Sequence, residues 1–210
     1  AATITGKTVT LSGSRIYDGT TSLTGNVTLA TGIGGEALTY SGATASDAHV
    51  ATANKYINAI TLNDNGAVLA SNYALPTLDN TNAPVTISVA TLTPTLTNAG
   101  VTKVYYSTTD APAGFTPTYS YAGLVSGDTA ATLANTGTAY NDKDVLDANK
   151  ITVSGISISG ITGGNSSVSS DYVLNATTKD VAATITAKTV PLPGSRIYDG
   201  TTTLTGNVTL

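Results

Sequence analysis

Side chains able to do chemistry are few in this 210-residue chain, and their spacing limits what they can do. The one histidine, His49, lies in Asp47-Ala48-His49-Val50; cysteine is absent, and Glu36 is the single glutamate. Nucleophilic catalysis needs a histidine beside an activated serine or cysteine, and no nucleophile-elbow pattern accompanies His49. His49 is therefore read as a surface or edge-strand residue, and zinc and thiol chemistry lack their ligands. Aspartate supplies what remains. Asn63-Asp64-Asn65-Gly66 and Asn141-Asp142-Lys143-Asp144, the latter near Asp147, gather the hard oxygen atoms that Ca2+ prefers. Asp64, Asp142 and Asp144 are the candidate ligands of a structural calcium ion. Neither run has EF-hand spacing, and Asn-Asp-Asn-Gly is also ordinary turn chemistry. No other cofactor is indicated, and catalysis is not expected.

Two modifications are open to the chain. Asn26, Asn165, Asn175 and Asn207 stand in Asn-x-Ser/Thr sequons, which a Thr- and Asn-rich sequence also generates freely. A Lys-to-Asn isopeptide crosslink would need a buried lysine with a neighbouring acid. Net charge is −4 and no basic run occurs, which argues against nucleic acid and anionic membrane surfaces as partners. No stretch of about 18 apolar residues is present, so no helical membrane span is predicted.

The elements that must position these residues are strands. Forty per cent of residues are apolar, drawn from Val, Ile, Leu, Ala and eleven Tyr, while only ten per cent are charged. Helix formers such as Glu, Lys, Gln, Arg and Met are scarce, and Thr and Gly are abundant, a composition suited to β-structure. Short alternating runs, among them Thr8–Leu11, Val27–Leu29, Ile57–Leu62 and Val85–Val89, are separated by turn signals such as Ser12-Gly13-Ser14, Asp18-Gly19 and Asn63–Gly66. Turns every eight to twelve residues are the signature of an all-β sandwich.

Above this lies repetition. Residues 1–29 return as 182–210 with changes only at Ala187, Pro191, Pro193 and Thr203. Inside that period Ala53-Asn54-Lys55 answers to Ala148-Asn149-Lys150, and Asn72-Tyr73-Ala74-Leu75 to Asp171-Tyr172-Val173-Leu174. The chain thus divides into 1–86, 87–184 and the start of a further unit at 185–210. Units of this size suit immunoglobulin-like β-sandwiches in tandem, joined without Gly/Ser linkers, and such an array builds length or valency. With no leader at its start and a stop inside a repeat, the sequence is expected to be part of a longer polypeptide.

The best-defined motif is Arg15-Ile16-Tyr17-Asp18-Gly19-Thr20-Thr21, repeated at Arg196–Thr202 around Tyr198, Asp199 and Gly200. It resembles the YDG repeat of large filamentous-haemagglutinin-like bacterial adhesins. Tyr119–Ala130 similarly resembles the companion module, the mostly bacterial Ig-like (MBG) repeat. The resemblance implies a secreted or cell-surface shaft or stalk that extends a binding region from the cell and supports adhesion or biofilm. Its implied partners are neighbouring repeats, and it identifies no host ligand. The motif also has a purely structural reading. Asp18 accepts a backbone N–H, Gly19 takes positive φ, and Tyr17 turns its ring inward with its hydroxyl on a backbone partner. Lys103-Val104-Tyr105-Tyr106-Ser107 replaces the signature in the middle unit, so the turn is not expected to carry over. Tyr73 and Tyr172 are candidate corner tyrosines. Two rival readings are a fibre subunit that self-associates into filaments by β-strand addition and a glycan-binding module, the latter short of an aromatic platform for want of Trp.

Overall fold

The computed structural model describes residues 2–203, and they form an all-β chain. The first repeat supplies β1 (Lys7–Thr8), β2 (Thr10–Ile16), β3 (Val27–Ala30), β4 (Thr39–Ala45), β5 (Ile57–Asn63), β6 (Tyr73–Ala74) and β7 (Val85–Ser88). The second supplies β8 (Ala90–Leu96), β9 (Val101–Val104), β10 (Tyr119–Ala122), β11 (Asp128–Ala134), β12 (Gly137–Tyr140), β13 (Lys150–Ser154), β14 (Ser157–Gly163), β15 (Tyr172–Leu174) and β16 (Thr178–Thr186). Single 3-10 turns, Ala70–Asn72 and Ser169–Asp171, precede β6 and β15.

Alternation decides which face each strand buries. In β2, Leu11, Gly13 and Arg15 point inward while Thr10, Ser12, Ser14 and Ile16 are exposed. The sequence suggests a break at Ser12-Gly13-Ser14, but β2 runs straight through it. A Cβ on Gly13 would lie 3.1 Å from Val85 Cγ2 and 3.2 Å from Leu23 Cδ1, so glycine here answers to crowding rather than to a turn.

Two compact units result, and both are discontinuous in sequence. The first gathers the residues up to Thr95 with Tyr119–Asn135 and Gly155–Thr177. It holds the sheets β3-β2-β7 and β10-β8-β15 and the pairs β1-β6, β4-β5 and β11-β14. Its core is continuous: Val9, Leu11, Tyr17, Leu23, Ile57 and Ile87 of the first repeat share one cluster with Leu92 and Tyr172 of the second. The chain passes from β7 to β8 through Val89 alone, which leaves no flexible linker at this joint. The second unit comprises Leu96–Thr118, Thr136–Ser154 and the residues from Thr178 onward. It is built on the sheet β12-β13-β16-β9 and buries Tyr140, Ile151, Val153, Val181 and Ile185. The sequence pattern recurs at residues 86 and 184, while packing places parts of both repeats around the first core.

Candidate functional site

The Arg-Tyr-Asp-Gly loop is held by its own residues. Asp18 Oδ1 accepts the Thr20 N–H at 2.9 Å and the Thr20 hydroxyl at 2.9 Å, and Gly19 takes φ +80°. Arg15, inward-facing on β2, donates to Asp18 Oδ2 at 2.9 Å and Thr20 Oγ1 at 3.0 Å, and its guanidinium also reaches the carbonyls of Thr20 and Ser22. Burial lowers the Arg15 pKa and Asp18 partly offsets this. The second copy repeats the geometry. Asp199 Oδ1 accepts the Thr201 N–H and hydroxyl at 3.0 Å, Arg196 donates to Asp199 at 2.6 Å, and Gly200 takes φ +78°. There Tyr198 is 90% exposed, so the turn forms without any cover.

The middle repeat keeps this turn, contrary to the sequence expectation. Lys103 stands for Arg15 and donates to the carbonyls of Thr108 at 2.6 Å and Asp110 at 2.7 Å, the counterparts of Thr20 and Ser22. Ser107 adopts φ +60° in place of Gly19. A lysine can satisfy two carbonyls as a guanidinium does, which is why the turn survives loss of its signature.

The two loops differ in what covers them. Tyr17, 2% exposed, is closed over by the second repeat. Its hydroxyl meets the Ser167 hydroxyl at 2.5 Å, a side-chain partner where the sequence suggested a backbone one, and its ring meets Tyr172 edge-on at 5.8 Å. His49 stacks on Tyr17 at 6.2 Å and its Nδ1 lies 2.8 Å from Asp171 Oδ2. Asp171 is fully buried, and it also accepts the backbone N–H groups of Val50 at 2.8 Å and Val168 at 2.9 Å. Burial alone would raise the Asp171 pKa, but the bonds from Val168, His49 and Val50 outweigh it and hold the carboxyl below its ordinary range. Ser167, His49 and Asp171 thus come together, yet the Ser167 hydroxyl is buried against Tyr17, and no hydrogen bond joins it to His49 among the described residues. The cluster is built to fasten one repeat to the next.

Asn165 completes the fastening. Its amide donates to the Ser126 carbonyl at 2.8 Å and fills the space beside two glycines, where a Cβ on Gly19 would lie 2.4 Å from Asn165 Nδ2 and one on Gly127 2.5 Å from Oδ1. Gly19→Ala is expected to cost about 2 kcal/mol from backbone strain plus this clash. Gly200→Ala, with open space around it, should carry the backbone strain alone. Urea unfolding of both variants checks the difference; equal losses would show that Asn165 yields freely. Among the sequons, the Asn165 amide is engaged in this wedge, Asn26 and Asn175 are exposed, and Asn207 lies outside the described residues. Lys55 is the buried lysine, and its Nζ donates to the carbonyls of Val50 at 2.9 Å and Thr52 at 2.5 Å.

The remaining candidates separate. Tyr73 donates to the Glu36 carboxylate, which raises the Tyr73 pKa. Tyr172 donates to Asp128 at 2.5 Å and accepts the Val125 N–H at 3.1 Å; burial first, then Asp128, push its pKa up to about 12, so the hydroxyl remains a donor. Both tyrosines reach groups far away in sequence. Asp64 accepts the Ala70 N–H at 2.7 Å. Asp142 and Asp144 converge with Asp147, their carboxylate oxygens within 4.8 Å of one another. Asp142 already accepts the Asp144 N–H at 2.8 Å and Lys143 pairs with Asp144 at 3.0 Å, so few free oxygens are left for a cation that wants six or more. A chelator is expected to shift the melting temperature by less than about 1 °C; a larger fall would make calcium structural.

Sequence reasoning gave Ser167, Asp171, Asn165 and Asp128 no part in this joint; only the topology brings them to their partners. No family model, no curated protein and no solved structure matches this chain.

Proposed function

We propose that this chain is a structural section of a repetitive extracellular array, the shaft of a large bacterial surface adhesin or filament, built from tandem Ig-like units. The observation that carries the reading is the continuous core in which Tyr17 and His49 of one repeat are closed over by Ser167, Asp171 and Tyr172 of the next. Units joined by flexible linkers bend independently of one another, whereas a shared core must open before the joint can move. The composition, the exact return of the motif and its resemblance to YDG and MBG repeats give the same reading. Secretion, adhesion and biofilm support belong to it as expectations of that resemblance.

Electron microscopy of the purified native material, coupled to light scattering, tests it. A single long chain of discrete mass, seen as a thin rod, is the expected result. Compact particles on slack tethers would overturn the stiff-shaft reading. Filaments that dissociate into short equal chains would favour the polymerising subunit instead.

A further inference from the structure

We infer that the loop face of the second unit around Asp144 is a docking surface for a second copy of this chain, which it receives through the 3-10 turn ending at Asn72. This inference rests on the interlocking reading above and names the partner of one surface.

The face repeats the backbone bonds of the face of the first repeat that is already covered. The Tyr17 N–H bonds the Ser88 carbonyl at 2.8 Å, and the Tyr105 N–H bonds that of Thr186 at 2.9 Å. The Ala45 N–H bonds the Thr21 carbonyl at 2.8 Å, and the Tyr140 N–H bonds that of Thr109 at 2.6 Å. Asp47 accepts the His49 N–H at 2.6 Å, and Asp142 accepts that of Asp144 at 2.8 Å. His49-Val50 and Asp144-Val145 are therefore equivalent. The covering turns match in the same way: the Asn72 N–H bonds the Leu69 carbonyl at 3.1 Å, and the Asp171 N–H bonds that of Val168 at 3.0 Å.

Coverage is what differs. Asp171 is fully buried on its receiving loop, whereas Asn72 is exposed and Leu69 is 46% exposed. On the receiving side Tyr17 is 2% exposed, whereas Tyr105 is half-buried and its neighbour Tyr106 is 71% exposed. Among the described residues, both halves of the joint are thus uncovered. Two different surfaces that fit head to tail make a heterologous contact, in which each copy added leaves one of each surface for the next.

Charge identifies the occupant. In the covered joint a carboxylate, Asp171, faces an imidazole, His49. In the uncovered one the imidazole is replaced by Asp144, which pairs with Lys143 at 3.0 Å and lies beside Asp142 and Asp147, and the approaching carboxylate is replaced by the neutral amide of Asn72. An amide can donate to Asp144 and accept the Val145 N–H, while a second Asp171 brought there would meet three carboxylates of which Lys143 offsets only one. The pairing His49 with Asp171, and Asp144 with Asn72, makes the two repeat types alternate.

The test uses the full chain, which has no native cysteine. Asn72→Cys and Asp144→Cys are placed in one chain and oxidised at about 1 mM, the effective concentration that a short tether supplies. A ladder of dimer, trimer and higher species is expected, while Asn72→Cys with Asn175→Cys gives none. In sedimentation, Asn72→Asp should weaken self-association roughly tenfold, and adding Asp144→His should restore it. A monomer at all concentrations, an equal ladder from the control pair, or association indifferent to Asn72→Asp would each overturn the assignment. If the chain still melts cooperatively and loses stability on Tyr17→Ala, that failure removes this docking surface and leaves the interlocked shaft standing.

Discussion

Tyr17→Ala is expected to destabilise the protein by about 3–5 kcal/mol, while Tyr198→Ala, in the identical motif, changes it by less than about 0.5 kcal/mol. The comparison is controlled within one molecule. Both tyrosines follow an arginine and an isoleucine and precede Asp-Gly-Thr-Thr, and both loops close on the same hydrogen bonds. Tyr17 is 2% exposed and touches Tyr172 and Ser167; Tyr198 is 90% exposed. Removing the ring at position 17 deletes a buried aromatic and opens a cavity at the centre of the joint; at 198 it removes a side chain from water. Tyr17→Phe, which deletes only the hydroxyl, should cost about 1 kcal/mol, and Ser167→Ala a similar amount by stranding the same bond from the other side. Guanidinium unfolding of the four variants checks this. Equal losses at positions 17 and 198 would mean that the motif stabilises the fold only through its own turn, and the shared core would lose its main support.

What the sequence disclosed divides along contact distance. Asp18-Gly19 was legible because its chemistry is local: an Asx turn needs a carboxylate two residues before its N–H partner and a residue free to take positive φ. The strands were legible for the same reason, since alternation is a property of consecutive residues. Lys103 and Ser107 hid the same turn because substitution preserved geometry while erasing the letters. Ser12-Gly13-Ser14 misled because a glycine chosen for crowding against Val85 and Leu23 looks like one chosen for a turn. The fastening of Tyr17 to Ser167 and of His49 to Asp171 spans 150 and 122 residues, and nothing along the chain announces either pair. Once the topology is known, the correspondence of Asp47-Ala48-His49-Val50 with Asp142-Lys143-Asp144-Val145 becomes visible in the sequence itself.

That correspondence bears on how the proposed array would keep its order. A repeat that buries apolar surface against any neighbour gains stability without specificity, because apolar surfaces do not discriminate. A buried carboxylate does discriminate, since it is tolerated only where donors await it. Asp171 has three such donors on two segments, and a turn carrying Asn72 in its place would leave the His49 loop with a weaker acceptor. In the proposed array the polar centre of the joint would set register and partner, while Leu92, Tyr172 and the surrounding apolar residues form its buried core.

Asp171→Ala is accordingly expected to cost about 3–5 kcal/mol, because the N–H groups of Val50 and Val168 and the Nδ1 of His49 would remain in the joint without an acceptor. Asp171→Asn, which keeps the shape and one acceptor oxygen, should cost less and should change the response to acid. The folded-state pKa of Asp171 is depressed, so its contribution to stability is fully present above the unfolded carboxyl value of about 3.9 and is lost as pH falls through the lower folded value. The carboxyls of Asp79, Asp180 and Asp199, held by their own hydrogen bonds, are depressed as well, so acid lability will persist in the Asn variant. The expected signature is a shallower fall in unfolding free energy below about pH 4, by up to one proton's worth of slope relative to the parent. Thermal melts from pH 2 to pH 6 measure it. Identical slopes would mean that Asp171 does not ionise differently on folding, and the joint would then be held by packing alone.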